Sequence, residues 1–317
     1  MAPHAYLPLD LSAYYNAGAE VLGGPPDARL VGDQVFHGLP FRIGEADRAV
    51  TLFGRDGRSA PLTIAINREA HAVILAHRVL GSRLLAGGPL GEPVATYTFR
   101  LSDGAEYQVP IRERFEIADL PSFGQLPFLA RPDQKNGLQA RWSGPFSASG
   151  SRQMESTQGW SRAYCLWFWM NPTPDVPIQS LEIVPRGQRF LVAAITLGLT
   201  HEEPFSRDAM VPVRIDLKDP TLADLPLAPG PSDLKVDIDR GVASYAYQLP
   251  RGAADEFLND GFAGWGEAQN PSCSPAYAEV SAIPSATVAI KLGEKTIESV
   301  RWGDVLDGPV ETDMVRV

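Results

Sequence analysis

Histidine is the residue that zinc sites and most acid–base sites use, and this chain contains only five. No two of them have the His-x-His or His-Glu-x-x-His spacing with which one short segment holds a zinc ion. His201, followed by two glutamates, could supply one metal ligand at a strand end, and an exposed loop is the alternative. His37 and His77 lie in predicted strands, which favours structural hydrogen bonds. The remaining histidines are His4 and His71.

A nucleophilic serine requires a sharp strand-to-helix turn of the form Gly-x-Ser-x-Gly. The serine-rich residues 147–151 have neither those glycines nor that context, so a flexible loop is expected there. A phosphate-binding Gly-x-x-x-x-Gly-Lys-Ser/Thr loop is also missing from the sequence. The sequence therefore identifies no catalytic residue.

Cleavage of a glycosidic bond needs two carboxyl groups about 5–10 Å apart. Glu113 and Glu116 flank Phe115, and Asp255 adjoins Glu256. Nothing in the sequence sets either pair across a cleft, so solvated surfaces are the simpler interpretation.

One metal cofactor is suggested by the residues. Asp233, Asp237 and Asp239 alternate as in a strand and could offer oxygens to Ca²⁺, the ion that prefers such ligands. No other cofactor is predicted.

Aromatic residues are the strongest indication of function, because flat rings stack on the apolar face of a sugar ring. The predicted ligand-binding residues lie in a polar stretch that begins at Pro121; they are Gln139, Arg141, Trp142, Trp160 and Arg162. The alternative is that these tryptophans anchor a loop. Trp167 and Trp169 share one face of a predicted strand and are expected in the core, while Trp265 could contact a further domain.

The elements that position these residues are predicted to be short strands. Runs rich in Val, Ile, Thr, Tyr and Phe recur between turn residues, which is typical of antiparallel sheets. The first part of the chain has them at residues 34–43, 49–53, 62–66, 72–79, 94–101, 106–111, 178–184 and 190–199, and the second at 234–238, 243–249, 277–282, 287–292 and 296–302. Only residues 12–19 and 253–259 favour helices.

Two Asp-Gly pairs predict the chain reversals. Asp103-Gly104 lies between two alternating runs and predicts a β-hairpin, because Asp-Gly adopts the left-handed conformation of tight turns. Asp56-Gly57 predicts a similar turn between residues 49–53 and 62–66. Residues 121–158 are expected to form a long loop. The apolar run 164–170 is expected to lie mid-sheet with both faces buried.

These patterns predict an all-β protein with two domains. Residues 1–215 form an antiparallel sandwich, the proline-rich residues 216–232 a linker, and residues 233–317 a smaller β-domain. Because the sequence stops in a strand-like run, we expect it to be part of a longer protein.

Composition restricts the partners. A net charge of −10 without any Lys/Arg cluster argues against nucleic acid and against anionic membranes. We find no signal peptide and no long apolar span, so a cytoplasmic location is expected. Cys165 and Cys273 are expected to be reduced thiols, with a disulfide as the alternative.

Several segments of residues 8–200 resemble the galactose-binding-like jelly-roll sandwiches of sugar-acting hydrolases. The resemblance is carried by residues 34–43, 62–80, 91–112, 167–174 and 178–183. The layout of sandwich and small β-domain also resembles the N-terminal region of carbaryl-hydrolase-type metallohydrolases of the polymerase-and-histidinol-phosphatase superfamily. Those enzymes carry their metal ligands in a later domain, so the resemblance transfers no catalytic residue.

The leading hypothesis is a non-catalytic accessory module that binds or positions a carbohydrate or related small molecule for a downstream catalytic domain. One rival is a complete sugar-active hydrolase that uses carboxylates or a metal. The other is a structural scaffold for oligomerisation or docking.

Overall fold

A computed structural model describes residues 5–24, 29–120, 127–129, 164–207, 209–225, 234–244, 246 and 273–317. It consists mostly of antiparallel strands, 50% against 7% helix, which confirms the all-β prediction. The described residues up to Phe205 form one compact unit, and those from Ser206 onwards belong to a second. This division precedes the expected domain end at residue 215, because Val211–Leu217 pairs with strands that come later in the chain.

The first unit contains two larger sheets and one hairpin. Its described strands are β1 Tyr6–Pro8, β2 Asp33–Phe36, β3 Leu39–Arg42, β4 Thr51–Phe53, β5 Leu62–Arg68, β6 Ala72–Val79, β7 Pro93–Leu101, β8 Glu106–Arg112, β9 Phe128–Leu129, β10 Cys165–Met170, β11 Ile178–Pro185 and β12 Phe190–Gly198. The six-stranded sheet has the order β1-β12-β6-β10-β9, and β4 also pairs with β12. The four-stranded sheet has the order β5-β11-β7-β8.

The core lies between these two sheets. Alternate residues of each strand, such as Val73 and Leu75 of β6 and Leu181 and Ile183 of β11, are buried there together. Burying this apolar surface is the main favourable term in folding. The unit is therefore a sandwich of two antiparallel sheets, and its jelly-roll identity stays a prediction.

Strands β6 and β12 are buried on both faces. The second face of β12 is covered in part by the β2–β3 hairpin, whose Phe36 and Phe41 are fully buried. The sequence predicted one strand over residues 34–43. The structure instead reverses at His37 and Gly38, which have φ angles of 52° and 74°, as a tight hairpin turn requires.

The apolar run 164–170 is less buried than the sequence predicted. Strand β10 pairs with β6 over its whole length but with β9 at only two positions. Trp167 and Phe168 are therefore only partly buried, and Met170 is 36% exposed. The fully buried central strands are β6 and β12.

The second unit is also built from strands. Its described elements are β13 Val211–Leu217, α1 Pro220–Ala223, β14 Leu234–Ile238, β15 Gly241–Ala243, β16 Ala276–Ala282, β17 Thr287–Leu292, β18 Lys295–Arg301, α2 Trp302–Asp307 and β19 Val315–Arg316. One sheet has the order β15-β16-β13-β19 and the other β14-β17-β18. Helix α1 occupies part of the predicted linker, with Asp219 capping Thr221 N.

The helix predicted over residues 12–19 is wrong. These residues form turns, followed by a 3-10 helix at Ala19–Leu22, and a second 3-10 helix lies at Leu84–Ala86. The other predicted helix, 253–259, lies outside the described residues. Cys165 and Cys273 are buried and are not joined in a disulfide, as expected. Within the described ranges, no helix has both the length and the apolar character needed to cross a membrane.

Candidate functional site

The five predicted ligand-binding residues, Gln139, Arg141, Trp142, Trp160 and Arg162, all lie outside the described residues. The same holds for the serine-rich residues 147–151, for Asp233, for the pair Asp255 and Glu256, and for Trp265. The described site therefore has to be built from other aromatic residues.

One group of rings lies between the two sheets of the first unit, where β10 faces β7 and β8. We call it the aromatic cluster; its members are His77, Tyr97, Phe99, Tyr107, Trp167 and Trp169. Period-two alternation puts both tryptophans on the inner face of β10. Phe99 and Tyr107 are directly paired across the β7–β8 hairpin, so they share one face.

The contacts within the cluster are close. Trp169 stacks on Phe99 with ring centroids 4.0 Å apart and planes only 6° from parallel. Tyr107 lies 5.6 Å from Trp169, and Trp167 lies 5.9 Å from Tyr97. Contacts between aromatic rings add about 0.5–1.5 kcal/mol each beyond the burial of their area.

The side chains of the aromatic cluster differ in their exposure to solvent. Tyr97 and Phe99 are fully buried and Trp169 is 9% exposed, whereas Trp167 and Tyr107 are partly exposed. The predicted core position of the two tryptophans is thus correct for Trp169 and only partly so for Trp167. Trp169 has the closer packing, since Phe99 stacks on it at 4.0 Å and Tyr107 covers it at 5.6 Å, whereas the rings nearest Trp167 are 5.9 Å away or more.

His77 occupies the closed end of the cluster and is fully buried. Its Nε2 lies 2.8 Å from the carbonyl oxygen of Glu116, which can only accept, so this nitrogen carries the proton. Nδ1 then accepts from the Tyr97 hydroxyl at 3.0 Å. Burial lowers the pKa of His77 to about 4, although the hydrogen bond to Glu116 opposes the shift. His77 is a neutral structural residue, as the sequence favoured.

The other described candidates for metal or acid–base chemistry each lie beside another group of the protein. His37 Nε2 lies 3.2 Å from the carbonyl oxygen of Phe205, and the exposed His201 lies 5.4 Å from His71, ring to ring. Glu116 binds Arg112 through both of its carboxylate oxygens. In the part of the chain that the structure describes, no three His, Cys, Asp or Glu side chains are grouped to hold a metal.

Two of the aspartates predicted to bind calcium have other partners. Asp237 accepts from Lys291 Nζ at 2.7 Å, and Asp239 accepts from the backbone N–H of Thr287 at 2.8 Å. Because Asp233 lies outside the described residues, the calcium site stays a prediction.

A concave surface in the second unit has a volume of about 420 Å³. It is lined by Pro212, Val213, Arg214, Asp216, Val305, Gly308, Pro309, Arg316 and Val317. Its size falls in the range of small-molecule pockets. Arg214 is engaged by Asp216 at 2.9 Å, so the two side chains largely neutralise each other.

Sequence reasoning overlooked Tyr97, Phe99 and Tyr107 as partners of the two tryptophans. Their signal was present, since the predicted hairpin register already puts these rings on one face. Comparison with protein-family models, with curated proteins and with solved structures gives no significant match. The resemblances noted from the sequence therefore stay predictions.

Proposed function

We propose that the chain is a non-catalytic binding module, and that its first unit binds a carbohydrate at the open side of the aromatic cluster. The supporting observation is the position of Trp167. Its indole is partly exposed at the sheet edge and is held from behind by Tyr97 and Phe99, which are fully buried. A fixed, half-open indole offers a flat apolar surface, and a sugar ring has an apolar face that stacks on it.

Tyr107 extends this surface along β8. It is partly buried, contacts Trp169 and carries a hydroxyl that can donate to or accept from a sugar hydroxyl. Both rings are on strands rather than on loops, so little conformational entropy is lost when a ligand binds.

The described polar residues that could act as catalytic groups already have partners within the protein, which supports binding rather than catalysis. His77 is buried and neutral, and the Glu116 carboxylate is held by Arg112. Association with a larger hydrolase stays a prediction from the sequence alone.

The proposal is tested by isothermal titration of the full chain against a panel of mono- and oligosaccharides, with tryptophan fluorescence as a second readout. We expect at least one sugar to bind, and Trp167→Ala to weaken that binding at least tenfold. Trp302→Phe is the matched control. Trp302 is fully buried in the second unit, so the change costs some stability through the cavity it leaves but removes no ring of the aromatic cluster and should leave sugar binding intact.

The sequence-predicted loop site is tested in the same experiment with Trp142→Ala and Trp160→Ala. A loss confined to these two variants would move the site from the aromatic cluster to the loop. The absence of binding across the whole panel would reject carbohydrate recognition altogether.

A further inference from the structure

One edge of the four-stranded sheet is open. Strand β5 pairs with β11 on one side, and no strand in the described part of the chain pairs with its other side. Apart from the pairing with β11, no backbone N–H or C=O group of β5 is hydrogen-bonded to the backbone of a described residue. A row of unpaired backbone groups at a sheet edge is a template for one more strand.

The opposite edge of the same sheet is protected against such pairing. Strand β8 contains Pro110, which has no N–H to donate, and it begins and ends with the charged residues Glu106 and Arg112. Short strands, charged residues and prolines are the usual means by which proteins protect sheet edges. The other edge strands in the described ranges have them too: β1, β4, β9, β15 and β19 have two or three residues, and β2, β3, β14 and β18 carry charged residues or proline.

Strand β5 lacks these protections over most of its length. Its first five residues, Leu62–Ile66, include no charged residue and no proline. The three inner side chains of this segment keep 2–7% of their surface exposed, whereas Leu181 and Ile183 of the neighbouring β11 are completely buried. A missing neighbour on the open side would leave this residual exposure.

The segment Leu62–Ile66 is complementary to a second copy of itself. We consider an antiparallel pair of β5 strands related by a twofold axis at Ile64. On the inner face, Leu62 then lies opposite Ile66 of the other copy. On the outer face, Thr63 lies opposite Ala65 of the other copy. Apolar side chains therefore meet apolar ones inside, and no charged residue faces another.

The residues at the two ends of the segment select this register. Moving the axis one residue towards the C-terminus would put Leu62 opposite Arg68. Moving it one residue towards the N-terminus would bring Pro61, which has no N–H, into the ladder. Only the axis at Ile64 pairs the apolar residues with one another and leaves both of these residues outside.

We propose that two copies of this chain form a dimer by pairing their β5 strands through Leu62–Ile66. The two four-stranded sheets then continue as one sheet of eight strands. The twofold axis uses the same edge of both copies, so the contact closes and no third copy can add to it. Five residues from each copy form a narrow interface, and we therefore expect a weak dimer that dissociates on dilution.

The first test is sedimentation velocity of the full chain at concentrations of roughly 1–500 µM, a range that covers weak association. We expect the mass to rise from one chain to two with increasing concentration, without larger species.

The decisive variant is Thr63→Lys/Ala65→Lys. It places two pairs of ammonium groups directly opposite each other across the proposed interface, and like charges in these positions are destabilising. Position 63 also lies opposite Glu182 of β11 within the same chain, so the variant should stay folded, which circular dichroism checks. We expect its dissociation constant to be at least tenfold higher than that of the unchanged protein.

The matched control is Ser102→Lys/Gln108→Lys. It adds the same charge at two exposed positions near the protected edge of the same sheet. This variant should dimerise as the unchanged protein does.

Hydrogen exchange tests the interface without any substitution. About half of the amide groups of Leu62–Ile66 point away from β11, because N–H directions alternate along a strand. These amides should exchange more slowly at high protein concentration than at low concentration.

Three outcomes would overturn the proposal. They are a monomer over the whole concentration range, a dimer that the Thr63→Lys/Ala65→Lys variant leaves intact, and exchange in Leu62–Ile66 that does not change with concentration. Sugar binding enters none of these measurements, so the dimer and the proposed function are tested separately.

Discussion

The two faces of β7 show how differently the same strand can be stabilised. On the inner face, Tyr97 donates to His77 and Phe99 stacks on Trp169, and water reaches neither strand residue. On the outer face, Arg100 forms ion pairs with Glu106 and Glu182, and all three side chains are partly exposed. Water and salt can replace the outer contacts but not the inner ones. The stability of the first unit should therefore depend on the inner face.

The largest expected effect comes from removing an inner ring. Phe99→Ala should lower the free energy of unfolding by about 3–5 kcal/mol, because it leaves a cavity beside Trp169. Urea unfolding followed by circular dichroism measures this loss. Phe115→Ala is the control, since that ring is 52% exposed, and its effect should stay within about 1 kcal/mol. Equal effects of the two changes would contradict the comparison.

The second-largest expected effect is a loss of stability of the inner face at acidic pH. Burial lowers the pKa of His77 to about 4 from its ordinary value of 6.5, so the unfolded chain takes up the proton first as the pH falls. The His77 contribution is complete above pH 6.5 and declines between pH 6.5 and pH 4. Between pH 7 and pH 5 the unchanged protein should lose about 2 kcal/mol more than His77→Gln, which has no titrating group.

Carboxylates also titrate in acid, so the quantity to measure is the difference between the two proteins in urea unfolding at each pH. Parallel stability curves for the protein and His77→Gln would show that His77 is not the titrating group.

The smallest effect is expected on the outer face. Arg100→Gln removes both ion pairs, and we expect the Tm to change by less than about 2 °C. Any loss should shrink further in 1 M NaCl, because salt screens exposed charges. A large loss that salt does not reduce would mean that the outer face contributes as much as the inner one.

The two Asp-Gly turns show what could be predicted from the sequence. At Asp103-Gly104 the predicted hairpin is confirmed: Gly104 has a φ of 91°, and β7 and β8 pair on either side. At Asp56 the chain also turns, with a φ of 67°, but no hairpin forms. Strand β4 pairs with β12 and β5 pairs with β11, so the chain crosses between sheets. A turn is set locally, whereas the partner of a strand is not.

The aromatic cluster also has one feature that the sequence predicts and one that it does not. Trp167 and Trp169 were expected on one face because side chains alternate along any strand. Their unequal exposure could not be predicted, since it depends on Phe99 and Tyr107, from the opposite sheet, packing closely on Trp169.

The sequence by itself determined the all-β class, most strand positions and the inward or outward direction of their side chains, because alternation and turn chemistry act over a few residues. The tertiary structure decided which strands became neighbours, that His77 and Glu113 would be buried, and which tryptophan would reach the edge. These features depend on contacts between distant segments, and local preference carries no information about them.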